Sequence, residues 1–379
     1  MVVNIAFTGG GTGGHIYPGL AVAQELKKLL ALAEPSGFEF QIFWIGSSAG
    51  MDRGLVEEAG IDFFGIPSGK LRRYFSFKNI ADFFKIIAGF FAARKILKKK
   101  KAVLLFSKGG FVSVPPCAAA ASLGITVFTH ESDFSPGLAT KINARFVLRA
   151  NGGIFTSYEN TVYFFPKAVQ NRVTVSGNPV RAVFHNADPL KGREFLQVGE
   201  DERILLILGG SQGAREINDL VAASLSGLTE VYTVVHQYGP NQSWNLPSSA
   251  RYRPYPYIKE ELPHVMAAAE LILGRSGAGI WEWAVLGKPM ILIPLRGSGT
   301  RGDQAQNARY FQKAAAAHIL SGEDLNPQTL VRTVNSLAHN NGKRMEMSSA
   351  SLAIGKNEGT EKIARVLARE IIKISKGEK

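Results

Sequence analysis

The chain is 379 residues long, contains 45% hydrophobic residues and carries a formal net charge of +13 at pH 7. This length accommodates two domains, each with its own core, in an ordinary soluble globular protein. The single cysteine, Cys117, excludes an internal disulfide and a cysteine-based metal cluster, which fits a reducing compartment. We expect neither a signal peptide nor a transmembrane helix, because the sequence opens directly on a short strand pattern and lacks an uncharged apolar run of about 18–20 residues.

The first half of the chain alternates short apolar, β-rich runs with helix-like patterns, which favours a parallel, doubly wound sheet. Strands are predicted at 2–8, 40–46, 103–107 and 125–130, with weaker ones at 146–148 and 172–176. Helices are predicted at 18–33, 51–59, 78–98, 113–122 and 136–143.

The second half repeats this alternation. Strands are predicted at 203–208, 231–236, 251–253, 271–274 and 290–294, and helices at 213–226, 261–268, 278–286, 303–315 and 326–338. Each half opens with an apolar strand that runs into a glycine-rich turn, VVNIAFTGGGTGG in the first and ERILLILGGSQGA in the second. We therefore predict an α/β protein with two Rossmann-like, doubly wound parallel-sheet domains at 1–183 and 184–345. A C-terminal helical segment follows at 346–379 and could pack back on the first domain.

The first glycine-rich turn, TGGGTGG at 8–14, offers backbone N–H groups and a helix N-terminus to a phosphate. Gly9, Gly11 and Gly14 fit the G-x-G-x-x-G spacing of a dinucleotide-binding loop. The second strand, however, ends in GSS at 46–48, where an NAD-binding domain needs an acidic residue for the ribose. The turn therefore favours another phosphate-bearing ligand, while an NAD-binding role and a purely structural role for the glycines stay open.

The excess of positive charge is concentrated in one segment. Residues 70–101 contain eleven Lys or Arg residues and one acidic residue, Asp82, and the same segment contains six phenylalanines. Cations interleaved with aromatic residues are typical of a surface that lies in a lipid interface. We therefore predict that an anionic membrane surface contacts Phe83, Phe84, Phe90 and Phe91; the alternative is that these side chains face the core. A nucleic-acid-binding protein usually spreads its basic face further, so no nucleic-acid partner is expected.

Several sequence blocks occur in an order that carries a family resemblance. They are TGGGTGGHIYPGLAVAQEL (8–26), SKGGFVSVP (107–115), HESDFSPGLATKINARF (130–146), SGNPVR (176–181), LGGSQGAREIN (208–218), GRSGAGIWEWAVLGKPMILIPL (274–295) and GDQAQNARYF (302–311). Over nearly the whole chain they resemble the MurG family, bacterial enzymes that add N-acetylglucosamine to the lipid-linked muramoyl-pentapeptide precursor of peptidoglycan.

The resemblance implies a GT-B fold, with two Rossmann-like domains facing a cleft, and inverting transfer from UDP-N-acetylglucosamine. It places the nucleotide sugar on the C-terminal domain and the lipid diphosphate on the N-terminal domain, which lies at the cytoplasmic face of the plasma membrane as a peripheral protein. The runner-up is a related transferase that acts on a membrane diacylglycerol. The SKGGFVSVP turn suits a diphosphate and so argues against a neutral lipid acceptor.

On the acceptor side, the resemblance places Thr12, Gly13 and Gly14 along the cleft, and the turn at Gly109 and Gly110 suits the acceptor diphosphate. His15 is the first candidate for the base that takes the acceptor proton, because it ends the first glycine turn and imidazole titrates near neutral pH. His15 could equally cap the helix or bind the acceptor without proton transfer. The rival bases are Glu131 and Asp133, whereas His130 is expected to tether a loop.

On the donor side, the resemblance assigns roles to residues of the second half. Ser211 bonds a donor phosphate, Glu282 holds the ribose hydroxyls and Gln304 contacts the transferred sugar. Ile258 matches a position whose backbone reads uracil, Arg181 serves the donor from the other side of the cleft, and Arg275 is a further candidate for stabilising the leaving diphosphate. The sequence has no D-x-D motif or His cluster, so we expect no obligatory protein-bound metal and no cofactor.

Three departures from the family pattern bear on these assignments. The usual H-E-x-N is His130-Glu131-Ser132-Asp133 here, so an amide sugar contact becomes a carboxylate. The stretch RSGAGIWE at 275–282 is one residue shorter than usual and lacks a Thr, which leaves the register before Glu282 open. The usual Q-Q pair is Asp303-Gln304.

Overall fold

A computed structural model describes residues 2–11, 13–32, 39–49, 52–69, 78–241, 249–295, 297, 300–356 and 358–377. The chain forms two compact units. The first comprises Met1–Arg181 together with Glu358–Lys379, and the second comprises Ala182–Asn357.

The first unit is built on a parallel sheet of seven strands. They are β1 (Val2–Thr8), β2 (Glu39–Ser47), β3 (Asp62–Ile66), β4 (Ala102–Ser107), β5 (Thr126–Glu131), β6 (Ile154–Thr156) and β7 (Val173–Val175), in the spatial order β3-β2-β1-β4-β5-β6-β7. The helices between them are α1 (Gly13–Leu32), α2 (Asp52–Glu58), α3 (Lys78–Lys100), α4 (Val114–Ser122), α5 (Leu138–Arg149) and α6 (Lys167–Gln170). Short 3₁₀ turns lie at Phe111–Ser113 and Glu159–Phe164.

The strand register brings three turns of the first unit together. Thr8 at the end of β1 pairs with Ser107 at the end of β4, and Ser107 pairs with Thr129 in β5. Because all of these strands are parallel, the turns that follow them leave the sheet at the same carboxyl edge. This is the edge at which open parallel sheets bind ligands.

The second unit is built on a parallel sheet of six strands. They are β8 (Ile204–Leu208), β9 (Thr233–Gln237), β10 (Tyr252–Tyr255), β11 (Leu271–Gly274), β12 (Met290–Leu292) and β13 (Ala317–Ile319), in the order β10-β9-β8-β11-β12-β13. The helices of this unit are α7 (Ala182–His185), α8 (Pro189–Leu196), α9 (Arg215–Thr229), α10 (Leu262–Ala268), α11 (Ile280–Val285), α12 (Asp303–Lys313), α13 (Pro327–His339) and α14 (Asn341–Gly355). A 3₁₀ turn lies at Gly322–Asp324.

The last helix, α15 (Gly359–Ser375), belongs to the first unit although it follows the second along the chain. Its apolar stripe contributes Ile363, Leu367 and Ile371 to the same buried cluster as Leu26 and Leu30 of α1. Burying a full Leu or Ile side chain stabilises a fold by roughly 1.5–3 kcal/mol, so this stripe holds α15 on the first unit. The segment predicted at 346–379 is thus divided between the units, with α14 in the second and α15 in the first.

The predicted fold class is confirmed, since both sheets are parallel and covered by helices. One predicted strand is wrong: residues 146–148 form the end of α5. Val147 is buried on the same helix face as Asn143 and Ala144, a 3.6-residue spacing that a three-residue apolar run does not reveal. The short strands β3, β6 and β13 were not predicted; they contain five, three and three residues.

Candidate active site

The first glycine turn, at the end of β1, is hydrogen-bonded to a buried carboxylate. Asp52 accepts hydrogen bonds from the backbone N–H of Gly11 (3.1 Å) and of Ser47 (3.4 Å), and it is 1% exposed. Burial raises the pKa of Asp52, and these backbone hydrogen bonds oppose the shift. Trp44 Nε1 also donates to the Gly9 carbonyl (3.0 Å). The turn is therefore fixed by side chains of α2 and β2 that bind its backbone.

The second glycine turn follows β4 and lies beside the first. Gly109 and Gly110 have φ angles of +89° and +79°, in the left-handed region that favours glycine. The Gly109 N–H donates to Ser107 Oγ (3.1 Å). The His15 ring packs against both glycines, so closely that a Cβ on Gly110 would meet it. The structure thus brings together the predicted base and the predicted diphosphate turn.

Lys108, immediately before this turn, is a buried cation at the centre of the first unit's carboxyl edge. It is 1% exposed, and its Cβ lies beneath Gly9 and Gly19. Its Nζ donates to Ser132 Oγ, which in turn donates to Asn178 Oδ1 (2.9 Å). Burial lowers the pKa of Lys108 to about 8, and the charges of Glu131 and Asp133 act in the opposite direction.

The turn after β5 is organised by Glu131 and His130. Both carboxylate oxygens of Glu131 accept backbone hydrogen bonds, Oε1 from the Asp133 N–H (3.0 Å) and Oε2 from the Gly137 N–H (2.9 Å). His130 Nε2 lies 3.1 Å from the Gly177 carbonyl oxygen, and burial holds the pKa of His130 well below its usual value. Both side chains therefore fix the loop, and Asp133 is half-buried beyond them.

The remaining predicted residues of the first unit lie on α1 or against it. Gly13 begins α1 and is buried, whereas Gly14 in its first turn is exposed. The guanidinium of Arg181 lies over the Tyr17 ring of the same helix, with its Cζ 4.5 Å from the ring centroid. The prediction for Thr12 lies outside the described residues.

In the second unit, the turn after β8 carries Ser211 at its exposed tip. The Gly213 N–H donates to the Gly210 carbonyl (3.1 Å), and α9 begins directly after the turn. Gly213 has a φ angle of +75°, and a Cβ here would overlap the Tyr238 carbonyl. The backbone segments that follow β8 and β9 therefore contact each other at Gly213, and only glycine permits this close approach.

Ile258 is positioned by a side chain that the sequence analysis did not single out. Its N–H donates to Gln237 Oε1 (2.9 Å), and Gln237 Nε2 donates to the Gly210 carbonyl (3.5 Å). Gln237 is the last residue of β9 and is 3% exposed. It therefore links the Ser211 turn to the segment that contains Ile258.

Arg275 lies at the carboxyl edge of the second sheet, directly after β11. Its guanidinium donates to the carbonyls of Ile293 (3.1 Å) and Pro294 (3.3 Å) and to Glu216 Oε2 (2.8 Å) on α9. Its side chain is 11% exposed. The cation is thus anchored beside the N-terminal turn of α9.

Gln304 and Glu282 lie in the first turns of two further helices at this edge. Gln304 Oε1 accepts from the Leu295 N–H (2.9 Å), and the Gln304 carbonyl accepts from Ser276 Oγ (2.8 Å). Glu282 is the third residue of α11, which starts after Gly279, and it is half-buried. Asp303, beside Gln304, pairs with Arg301 (3.1 Å). Among the described residues, no three His, Cys, Asp or Glu side chains form a possible metal-binding group.

The helix α3 carries most of the described part of the basic and aromatic segment. Phe83, Phe84 and Phe91 are 55%, 65% and 63% exposed. Phe90 differs from the prediction, because it is half-buried and packs on the core that contains Ala93 and Leu97. In the described parts of the chain, no helix has both the length and the apolar character that a bilayer crossing requires.

Comparison with known proteins identifies the family. Two family models match, one described as "Glycosyltransferase family 28 N-terminal domain" over residues 5–151 and one as "Glycosyltransferase family 28 C-terminal domain" over residues 204–367. A protein of Treponema denticola is 45% identical over 92% of this chain and 93% of its own length. Its name is UDP-N-acetylglucosamine--N-acetylmuramyl-(pentapeptide) pyrophosphoryl-undecaprenol N-acetylglucosamine transferase. This chain belongs to the MurG family of glycosyltransferases.

Further relatives agree with this membership. A Treponema pallidum protein of the same name is 44% identical over 96% of this chain and 94% of its own length. The crystal structure of Acinetobacter baumannii MurG superposes with a TM-score of 0.71 at 23% identity, covering 97% of this chain and 99% of that one. The chain therefore has the GT-B fold that the sequence blocks implied.

Some residues of this site were not found by sequence reasoning. Asp52, Lys108 and Gln237 each contact a predicted loop. The sequence did contain a signal for Lys108, because a lysine between a buried strand and a Gly-Gly turn has little access to solvent. For Asp52 and Gln237 the sequence gives no comparable signal, because their partners are 41 and 21 residues away in the chain.

Proposed function

We propose that this chain transfers N-acetylglucosamine from UDP-N-acetylglucosamine to the muramoyl 4-hydroxyl of undecaprenyl-diphospho-muramoyl-pentapeptide, a step of peptidoglycan synthesis. The observation that carries the proposal is the 45% identity, over 92% of the chain, to a transferase whose name gives this donor and this acceptor. The transfer inverts the anomeric carbon, because the acceptor hydroxyl attacks in line with the leaving UDP.

The acceptor diphosphate binds at the carboxyl edge of the first sheet in this proposal. The Gly109–Gly110 turn supports that assignment, since its left-handed backbone lies beside the His15 ring and directly follows the Lys108 cation. Backbone N–H groups and a nearby positive charge are the features that bind phosphates.

His15 and Asp133 are the proposed candidates for the base that takes the proton of the acceptor hydroxyl. His15 lies at the start of α1 against the Gly109–Gly110 turn, where the reacting sugar follows the diphosphate. Glu131 is less suited, because both of its oxygens already accept backbone hydrogen bonds and it is 5% exposed. We assign Glu131 the role of holding the Asp133 turn.

The UDP leaving group is stabilised by the second unit without a protein-bound metal in this proposal. The Ser211 turn precedes the fifteen-residue helix α9, whose N-terminus favours negative charge. Arg275 adds a fixed cation beside that terminus. Glu282 accepts from the ribose hydroxyls and Gln304 contacts the sugar.

The decisive experiment incubates the purified protein with UDP-N-acetylglucosamine and a short-chain lipid-linked muramoyl-pentapeptide, with and without EDTA. We expect UDP release and a β-linked disaccharide of the corresponding mass in both samples. Transfer to diacylglycerol in place of the muramoyl acceptor would contradict the acceptor assignment. Loss of transfer in EDTA with recovery on adding Mg²⁺ would contradict metal independence.

The proposed location is the cytoplasmic face of the plasma membrane, bound peripherally through α3. Phe83, Phe84 and Phe91 support it, because these exposed aromatic side chains share a helix with several lysines. Aromatic residues in the interface and lysines near anionic headgroups both favour binding, with about 1 kcal/mol for each lysine.

The membrane proposal is tested with anionic vesicles in a sedimentation assay. Replacing Phe83, Phe84 and Phe91 by Ser should release the folded protein, whereas Phe90 is left intact because it packs on the core. The matched control replaces three exposed apolar residues of the second unit, Leu190, Met345 and Leu352, by Ser. Equal vesicle binding by both triple variants would contradict the proposal.

A further inference from the structure

A buried lysine, Lys108, lies at the carboxyl edge of the first sheet, where we place the acceptor site. Lys108 is 1% exposed, and its Cβ lies close to Gly9 of the first glycine turn and to Gly19 of α1. Its backbone N–H donates to the Thr8 carbonyl (2.8 Å), which fixes the residue between β1 and β4. Burying an ammonium group costs several kcal/mol unless partners compensate it.

The partners of Lys108 are acidic and polar groups of the turn after β5. Nζ donates to Ser132 Oγ, and the flanking carboxylates of Glu131 and Asp133 both interact favourably with its charge. Among the described residues, His130 also interacts with this charge and His15 interacts with His130, and burial holds the pKa of His130 well below its usual value. Without Lys108, this turn would lose a positive charge that interacts favourably with both carboxylates.

That charge balance matters for a substrate that carries a diphosphate. Glu131 is committed to the backbone of its own loop, and Asp133 is half-buried in the same turn, whose His130 carbonyl lies beside Gly109. Two like charges about 6 Å apart at an effective dielectric constant of about 20 repel by roughly 3 kcal/mol. A diphosphate would meet this repulsion unless a cation offset it.

We propose that Lys108 is a positioning residue for the acceptor: its buried ammonium group compensates Asp133 and holds the Ser132 turn, so that a diphosphate-linked sugar can bind beside a carboxylate. The inference rests on the proposed function, because it takes a lipid diphosphate as the acceptor. It adds that Lys108 and Asp133 act as a charge pair that makes the site specific for a diphosphate-linked acceptor.

The test compares Lys108→Met with the double variant Lys108→Met/Asp133→Asn in the transferase assay. Lys108→Met should raise the KM for the lipid-linked acceptor by about tenfold, because the turn loses a positive charge and becomes more negative, and leave the KM for UDP-N-acetylglucosamine within about twofold. Asp133→Asn in that background removes one of the two carboxylates that interact with Lys108 and should restore most of the acceptor affinity. Lys288→Met, which removes another lysine with a lowered pKa, is the matched control and should change neither KM.

A pH profile gives a second readout. In the wild type, the acceptor KM should rise above about pH 8, because deprotonation of Lys108 removes the compensating charge. Asp133→Asn alone removes the carboxylate that this charge compensates, so the alkaline rise should be much smaller than in the wild type. This variant alters a half-buried side chain and keeps the inference testable if Lys108→Met fails to fold.

The outcomes separate the two proposals. A wild-type protein that does not use the lipid-linked acceptor would overturn the proposed function and this inference with it. An active wild type with an unchanged acceptor KM in Lys108→Met would overturn the inference alone. The inference would also be overturned if the double variant were no better than the single one, or if Asp133→Asn left the alkaline rise of the acceptor KM as large as in the wild type.

Discussion

Two lysines of this chain have the same lowered pKa and lie in opposite surroundings. Burial lowers the pKa of Lys108 and of Lys288 to about 8 in each case. Lys288 Nζ donates to the carbonyls of Ala267 (2.6 Å) and Ala269 (2.8 Å) at the end of α10, and its pKa is lowered further by the cation Arg193 and raised less strongly by Glu270. Lys108 instead faces a hydroxyl and two carboxylates.

Their places in the two sheets explain the difference. Lys288 precedes β12 and so lies at the amino edge of its sheet, whereas Lys108 follows β4 at the carboxyl edge of the other. Carbonyls at a helix end need a donor, and a lysine there completes the fold. Acidic groups gathered at a carboxyl edge lie where ligands bind. A perturbed pKa alone therefore does not identify a functional lysine. The groups that the lysine contacts, and the edge of the sheet at which it lies, distinguish a functional lysine from a structural one.

The largest effect is expected from removing the carboxylate that organises the Lys108 surroundings. Glu131→Ala leaves the N–H groups of Asp133 and Gly137 without their acceptor and takes one compensating charge from Lys108. Unfolding free energy should fall by about 3 kcal/mol, as expected for two buried hydrogen bonds to a charged group. Urea denaturation measures this loss, and the acceptor KM should rise together with it.

The matched variant for Glu131→Ala is Glu270→Ala at the amino edge of the second sheet. Glu270 pairs with Arg203 (2.5 Å) and accepts from Tyr232 Oη (2.6 Å). Its loss should lower stability and leave the acceptor KM unchanged. A kcat decrease of several orders of magnitude in Glu131→Gln, with normal stability, would show instead that Glu131 is the base.

The sequence predicted the long elements and the glycine turns because these depend on local pattern. Strands such as β8 are uniformly apolar, and the turns after β1, β4 and β8 are marked by consecutive glycines. The segment 146–148 was misassigned, because three apolar residues fit a strand and a buried helix face equally well.

The charge arrangement of the site could not be predicted in the same way. Lys108 and Ser132 are 24 residues apart, and Asp52 reaches Gly11 across 41 residues. Such pairs depend on strand order and register, which a single sequence does not fix. The exposure of Phe83 and the burial of Phe90 likewise depend on which face of α3 packs on the sheet.

A smaller effect is expected from Lys288→Met. The two carbonyls at the end of α10 lose their donor, which should lower the unfolding free energy by about 2 kcal/mol. The kinetic constants for both substrates should stay within about twofold, because the residue lies at the amino edge. A raised acceptor KM in this variant would show that the two lysines are not functionally distinct.

The smallest effect is a change of stability with pH that both lysines should share. A lysine whose pKa is lowered on folding destabilises the protein while it is charged, and this cost begins to decrease as the pH rises above about 8, where the folded state loses the proton. The unfolded chain keeps the proton until about pH 10.5, so each lysine should add about 1 kcal/mol of stability between pH 7.5 and 9. Urea denaturation at these two pH values should show this gain reduced equally in Lys108→Met and Lys288→Met.

Equal loss of the gain, beside unequal effects on the acceptor KM, would mean that burial sets the pKa of both lysines while only the partners of Lys108 connect it to the substrate. Loss in one variant alone would mean that the two pKa values have different origins.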